Sequence, residues 1–339
     1  MVYDKINGLP RTLIETFVRQ KLVELKNDPE RSTRNLIDVA LHFSEGRLQK
    51  QFLEIAQTML QNEQSGYYKI IYDIAAHVDT EHLLRFGMNL GYNSLTMGAK
   101  IIRRVEDVQG INIPWNIGLV IDAQGYSSME SEYQELIEQG KKLGIYTYVL
   151  YIKKMPSNLF SLIQRQPDCV FILFGSVEEM TNDFLDGAKQ LKNLMPVVRY
   201  SEGAANICKL MRKREMLYSV YVFYQEDEVD NILEGNLLYD IEQMHPVFTF
   251  FLHAEKPPMF YNDSIYQFVL AIRNKQEYQT IPMDLWQDIC YIGNVISDEV
   301  CLVVFDENGN LYPKCSASQE PINFCNISLE NLLNTYYRK

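Results

Sequence analysis

The chain has 339 residues, 47% of them hydrophobic and 22% charged, with a formal net charge of −12. It is long enough and apolar enough for one large or two moderate globular domains. The acidic balance argues against nucleic acid and anionic membrane as partners, because phosphate recognition needs clustered Lys and Arg. The one dense basic cluster, Lys209–Arg214, reads as a solvated helix end. Met1–Glu15 has no basic stretch followed by an apolar one, so no signal peptide is expected. The apolar runs 170–175 and 247–252 fall far short of the ~18 residues that cross a bilayer and suit buried strands. Six cysteines show no C-x-x-C spacing. Reduced thiols in a cytoplasm are therefore expected.

Taken in chain order, the first 108 residues predict helices. Leu13, Phe17, Leu22 and Leu25 form an apolar stripe that Asp28-Pro29 breaks, with Ser32 as a candidate N-cap for the next helix. Leu36, Val39, Ala40 and Phe43 carry that second helix, Phe52, Ile55, Ala56 and Met59 a third, and Tyr68, Ile71, Ile74 and Ala75 a fourth. Residues 80–99 read as a helix whose small residues permit close packing. No Gly/Ser/Pro linker follows, so the region is expected to dock rather than swing.

From Asn116 the pattern changes to short β-branched or apolar runs alternating with amphipathic helices. Strands are expected at 116–122, 146–151, 169–174, 196–200, 218–224 and 247–252. Helices are expected at 130–143, 157–165, 177–193, 203–213 and 227–243. Past Glu255 the regularity falls: Pro257-Pro258 marks a turn, 262–275 one more helix, and 301–312 a hairpin around Asp306-Glu-Asn-Gly309. The predicted class is α/β, a partial (β/α)6 TIM-like barrel with an all-helical N-terminal region and a small C-terminal hairpin extension. The expected division is 1–108, 109–255 and 256–339.

Several segments carry a family resemblance. Asn112-Ile-Pro-Trp115 stands directly before the first barrel strand. Glu138–Tyr146, Pro167–Phe174, Met195–Gly203, Asp284–Asn294 and Asp306–Cys315 follow in matching order. Together they resemble the radical S-adenosylmethionine (SAM) superfamily, specifically its SPASM-related proteins. The resemblance covers most of residues 80–335 and implies a radical-SAM-like barrel. It also implies a C-x3-C-x2-C loop after the Asp of the first strand, holding a [4Fe–4S] cluster. Here that loop, after Asp122, reads Ala-Gln-Gly-Tyr-Ser-Ser, and no cysteine precedes Cys169. Cluster iron needs thiolate ligands. The family's G-G-E-P, which binds the methionine amino group of SAM, is replaced by Ile152-Lys153-Lys154-Met155-Pro156. Two permissive glycines are gone, and a base replaces an acid. The family's Cys before the hairpin falls on Val295, while the one after it is matched, one residue late, by Cys315. Glu202-Gly203 remain where the family contacts SAM.

The expected function is therefore that of a catalytically degenerate radical-SAM-like protein, a pseudoenzyme that binds a protein, peptide or small molecule, alongside an active radical SAM relative in one version. No cofactor is expected. Two alternatives stay open: a sensor that binds SAM without a cluster, and an enzyme with non-radical acid–base chemistry at the barrel mouth. The ligand-binding candidates at that mouth are Asp122, Gln124, Lys153, Lys154, Glu202 and Gly203, since loops at strand C-termini form the usual site of βα barrels. A metal site on Cys290, Cys301, Cys315 and Cys325 is the lesser alternative to separate structural thiols. His77, His82, His245 and His253 lack metal-ligand spacing and are read as structural. Tyr218, Tyr221, Phe223 and Tyr224 crowd one strand. They either fill the vacated cofactor space or line a pocket for another ligand.

Overall fold

The structure, a computed structural model, describes residues 5–6, 9–42, 54, 56–59, 61–62, 64–254, 263–297, 299–312 and 321–339. Phe52 and Ile55 of the third expected helix, the Pro257-Pro258 turn and Cys315 lie outside the described residues. The strands are β1 (Lys5–Ile6), β2 (Leu9–Pro10), β3 (Asn116–Ile121), β4 (Thr147–Ile152), β5 (Val170–Gly175), β6 (Leu194–Arg199), β7 (Ser219–Tyr224), β8 (Phe248–His253), β9 (Ile281–Asp284), β10 (Val303–Phe305) and β11 (Leu311–Tyr312). Helices α1 (Arg11–Leu25), α2 (Pro29–His42), α3 (Gly66–His77) and α4 (Thr80–Gly87) come first, then a π-helix over Met88–Gly98 and α5 (Ala99–Gln109). Next are α6 (Ala123–Ser128), α7 (Glu130–Leu143), α8 (Leu159–Gln164), α9 (Asn182–Ala188) and α10 (Ala204–Lys213). The last are α11 (Val229–Leu233), α12 (Asn236–Glu242), α13 (Asp263–Lys275), α14 (Leu285–Ser297) and α15 (Leu329–Tyr336).

The chain forms two compact units, each drawn from two stretches: 1–85 with 195–288, and 86–194 with 289–339. In the first unit β6, β7, β8 and β9 lie side by side and parallel. In the second the order is β11-β10-β3-β4-β5, parallel except for the β10–β11 hairpin. All six expected strands form, each within two residues of its expected ends. β9 and the parallel pairing of β10 on β3 (Val304 opposite Gly118) are additional.

Local chemistry explains the elements of the second unit. In α7, Tyr133, Leu136, Ile137, Gly140 and Leu143 are buried at helical spacing. Glu130 and Glu132 open that helix and Lys141 and Lys142 close it, each favourable to the helix dipole. Gly144, at φ 95°, ends it, and there is no room for a Cβ between Gly144 and the Gly98 carbonyl. The expected close packing of the 80–99 segment is made there. The segment is not one α-helix, however. Thr96 turns its hydroxyl onto the Gly91 carbonyl, five residues back, at 2.6 Å in the π-helical stretch. Asn89 donates to the carbonyls of Pro167 and Cys169 at 2.8 and 2.9 Å, and Asn93 to that of Asp168 at 2.8 Å, tying down the turn before β5.

Other expectations are trimmed by capping. Asp28, not Ser32, accepts from the first turn of α2 (the Arg31 N–H, 3.1 Å), because Pro29 supplies the N1 residue. The helix expected at 177–193 shortens to α9, where Thr181 accepts from the Phe184 N–H. The one expected at 227–243 breaks at Gly235, φ 77°, into α11 and α12. His82 is buried in the first unit and accepts from the Leu217 N–H at 3.5 Å.

Candidate functional site

The C-terminal ends of the parallel strands are where the sequence places the site. In the second unit β3 runs straight into α6. Asp122 caps that helix, its carboxylate accepting from the Gln124 N–H at 3.1 Å. The main chain closes around it, with the Tyr126 N–H donating to the Asp122 carbonyl at 2.9 Å. Gly125 sits directly beneath the Glu307 carbonyl of the β10–β11 turn, with no space for a Cβ. Tyr126 is fully buried and stacks on Tyr133 at 5.2 Å. Phe324 joins Tyr133 at 5.0 Å, and Phe305 joins Phe324 at 5.1 Å. Neither the Tyr126 nor the Tyr133 hydroxyl has a hydrogen-bond partner among the described residues, and burial pushes both phenols well above their ordinary range.

The two lysines after β4 are paired within the chain. Lys153 Nζ lies 2.7 Å from Glu307 Oε1, and this pairing holds the Glu307 carboxyl below the usual range. Lys154 Nζ lies 2.9 Å from Glu179 Oε1, while Glu179 Oε2 accepts from the Met155 N–H at 2.7 Å. The hydrogen bond to Glu179 raises the Lys154 ammonium. Lys153 therefore meets the hairpin turn, as Gly125 does, and Lys154 the loop after β5, while Asp122 and Gln124 are joined to each other in the cap of α6. Glu307 and Glu179 are the partners that sequence reasoning missed. Only their positions beside strand ends could have signalled them.

The face of this sheet away from α7 is occupied by aromatic rings. Tyr148 turns toward α7, its hydroxyl donating to the Ile137 carbonyl at 3.2 Å. Tyr151, three residues on, therefore lies on the other face, stacked on its register partner Phe174 at 5.5 Å and lying over Gly118.

Glu202 and Gly203 belong to the first unit. Both are exposed, and Gly203, at φ 88°, turns the chain into α10. At the ends of β7, β8 and β9 this unit gathers titratable groups that the sequence did not place together. Tyr224 packs edge-on against its register partner His253 at 5.0 Å, and His253 Nε2 lies 3.8 Å from Glu226. Asp284 closes β9 and caps α14, accepting from the Gln287 N–H at 3.0 Å. Burial and the neighbouring Asp288 push its carboxyl up to about 6 against these backbone hydrogen bonds. Asp288 takes both oxygens to Arg273, at 2.9 and 3.1 Å.

The residues after β3 do not fit a [4Fe–4S] cluster. They supply no thiolate, and their backbone is committed to helical hydrogen bonds. Cys169 lies at the other end of the sheet, before β5, buried, with burial raising its thiol. Cys301 is buried and donates to the Asn112 carbonyl at 3.6 Å, Cys290 is half-buried and Cys325 exposed. Among the described residues no three His, Cys, Asp or Glu side chains stand together as metal ligands. Nor is any described helix long and apolar enough to cross a membrane.

No protein-family model matches the chain, and no curated protein matches it. Solved structures do. SuiB of Streptococcus suis shares 8% identity, covering 69% of this chain and 69% of its own, with a TM-score of 0.51. SuiB bound to S-adenosylmethionine gives 9% identity, coverages of 69% and 67%, and a TM-score of 0.52. SuiB bound to precursor peptide SuiA gives 8%, 69% and 68%, and again 0.52. At such identity the likeness is one of fold: this chain has the radical-SAM-like α/β fold, parallel strands alternating with helices behind a helical N-terminal region.

Proposed function

We propose that the chain is a degenerate, SPASM-related radical-SAM-like scaffold that works by binding a peptide or protein, with no radical chemistry of its own. The observation that carries this reading is α6. Where the resemblance implies a cluster loop, the chain has a capped helix with Gly125 seated against Glu307 and Tyr126 fully buried. The lysines after β4 add support. They present ammonium groups, already paired with Glu307 and Glu179, where the resemblance implies a site for the ammonium of SAM. The choice of a peptide as ligand is supported by the SuiB structure with its precursor peptide bound.

The reading is tested by calorimetric titration of the full chain with SAM. No saturable heat is expected. A one-to-one isotherm would overturn the binding-scaffold assignment in favour of SAM recognition.

A further inference from the structure

The β10–β11 turn carries one of the two Asn-Gly pairs in the sequence, Asn308-Gly309; the other, Asn7-Gly8, lies outside the described residues. The polar side chains around this turn are committed. Asp306 Oδ1 accepts from the N–H groups of Asn308 and Asn310 at 2.9 and 2.8 Å, and Asp306 Oδ2 from the Asn310 carboxamide at 3.2 Å. Asn323 donates to the Asn308 carbonyl at 2.7 Å and to Asn310 Oδ1 at 3.0 Å. Glu307 holds Lys153. Asn308 differs from its neighbours: it is exposed, and its carboxamide makes no hydrogen bond among the described residues.

Asparagine is a chemically labile residue. Its side-chain carbonyl carbon is open to attack by the backbone nitrogen of the next residue, and glycine brings no side chain to shield that nitrogen. The Asn308 carboxamide has the freedom to turn toward the Gly309 nitrogen. The Gly309 N–H donates to the Asp306 carbonyl at 2.9 Å, and this bond opens as the nitrogen gives up its proton. The nitrogen then bonds to the side-chain carbonyl carbon, the carbon–nitrogen bond of the carboxamide breaks, and ammonia leaves with the proton. Water opens the resulting cyclic imide at either carbonyl. One opening gives aspartate; the other gives isoaspartate, with the main chain rerouted through the side-chain carbon.

We propose that Asn308 is a self-modifying site whose conversion to isoaspartate unfastens the β10–β11 turn from α6. Rerouting inserts a methylene into the main chain between the two N–H groups that Asp306 Oδ1 binds, and it moves the carbonyl that Asn323 holds. Those bonds fix the turn in which the Glu307 carbonyl lies on Gly125 and the Glu307 carboxylate meets Lys153. The site stands on the turn's own residues and holds whatever ligand the scaffold binds.

The test uses the full chain with Asn7→Gln, so that one Asn-Gly pair remains. It is held for days in mildly alkaline buffer at physiological temperature. Peptides are mapped by mass spectrometry, and isoaspartate is detected by enzymatic carboxyl methylation. Asn308 is expected to convert ahead of every other described asparagine, Asn310 and Asn323 included, and to give isoaspartate as well as aspartate. Ion exchange separates the converted chains by their added negative charge. The isoaspartate form should melt a few degrees below the parent, as the loss of two or three turn hydrogen bonds implies. Asn308→Asp, which carries the same charge on an unaltered main chain, should melt close to the parent. Asn310 or Asn323 converting as fast as Asn308, or aspartate forming without isoaspartate, would overturn the proposal. So would an unchanged melting temperature in the isoaspartate form, or an equal fall in Asn308→Asp.

Discussion

Replacing Asp284 by Asn should stabilise the protein at neutral pH and leave it nearly unchanged in acid. The native fold buries this carboxyl and raises it from the ordinary 3.8 to about 6. The native state therefore holds the proton more tightly than the unfolded chain. The stabilisation this represents is complete below about pH 4 and is lost as pH rises through about 6. The interval corresponds to about 3 kcal/mol at 1.36 kcal/mol per pH unit. Asn keeps the acceptor that caps α14 through the Gln287 N–H, so the cap survives the exchange. Urea unfolding of both proteins at about pH 4 and about pH 7.5 is the assay. Asp284→Asn should gain about 2 kcal/mol relative to the parent between the two conditions. An equal difference at both pH values would refute the reasoning, because the carboxyl would then ionise as freely in the native state as in the unfolded chain.

Three further outcomes follow from the same structure. Tyr126→Phe removes a buried hydroxyl that has no hydrogen-bond partner among the described residues, so stability should rise by about 1 kcal/mol; a loss in the same denaturation assay would mean the hydroxyl is satisfied. Gly125→Ala drives a methyl into the Glu307 carbonyl and should cost about 1–3 kcal/mol, with an unchanged melting temperature counting against the seating of α6. Cys325 is exposed whereas Cys169, Cys208 and Cys301 are buried. Ellman's reagent should therefore modify Cys325 quickly and those three only after unfolding, and rapid native modification of Cys301 would contradict its burial.

Periodicity made much of the fold legible. The helix expected at 130–143 coincides with α7 because five apolar residues and a terminal left-handed glycine all point the same way. The six expected strands form where β-branched and aromatic runs outlast any helical pattern. What stayed hidden depends on long-range partners. β9 has only four residues and is fixed by its pairing with β8. The register of β10 on β3 joins segments nearly two hundred residues apart, and no local signal encodes it. The π-helix stretch requires Thr96 to meet the Gly91 carbonyl, which composition does not reveal. At the candidate site, Asp122, Lys153 and Lys154 were legible from their places at strand ends, but Glu307 and Glu179, which pair with the lysines, were not. Tyr224 and His253 were read singly, and their meeting with Asp284 was not legible for the same reason: three strands bring the cluster together.

The central claim is that the scaffold has given up the cluster. Iron and acid-labile sulfide per chain after anaerobic reconstitution measure it most directly. The account predicts almost no bound iron and no broad absorption near 400 nm. About four irons per chain, with the thiolate-to-iron absorption of a [4Fe–4S] centre, would contradict it and require the cysteines from Cys290 onward to come together as ligands.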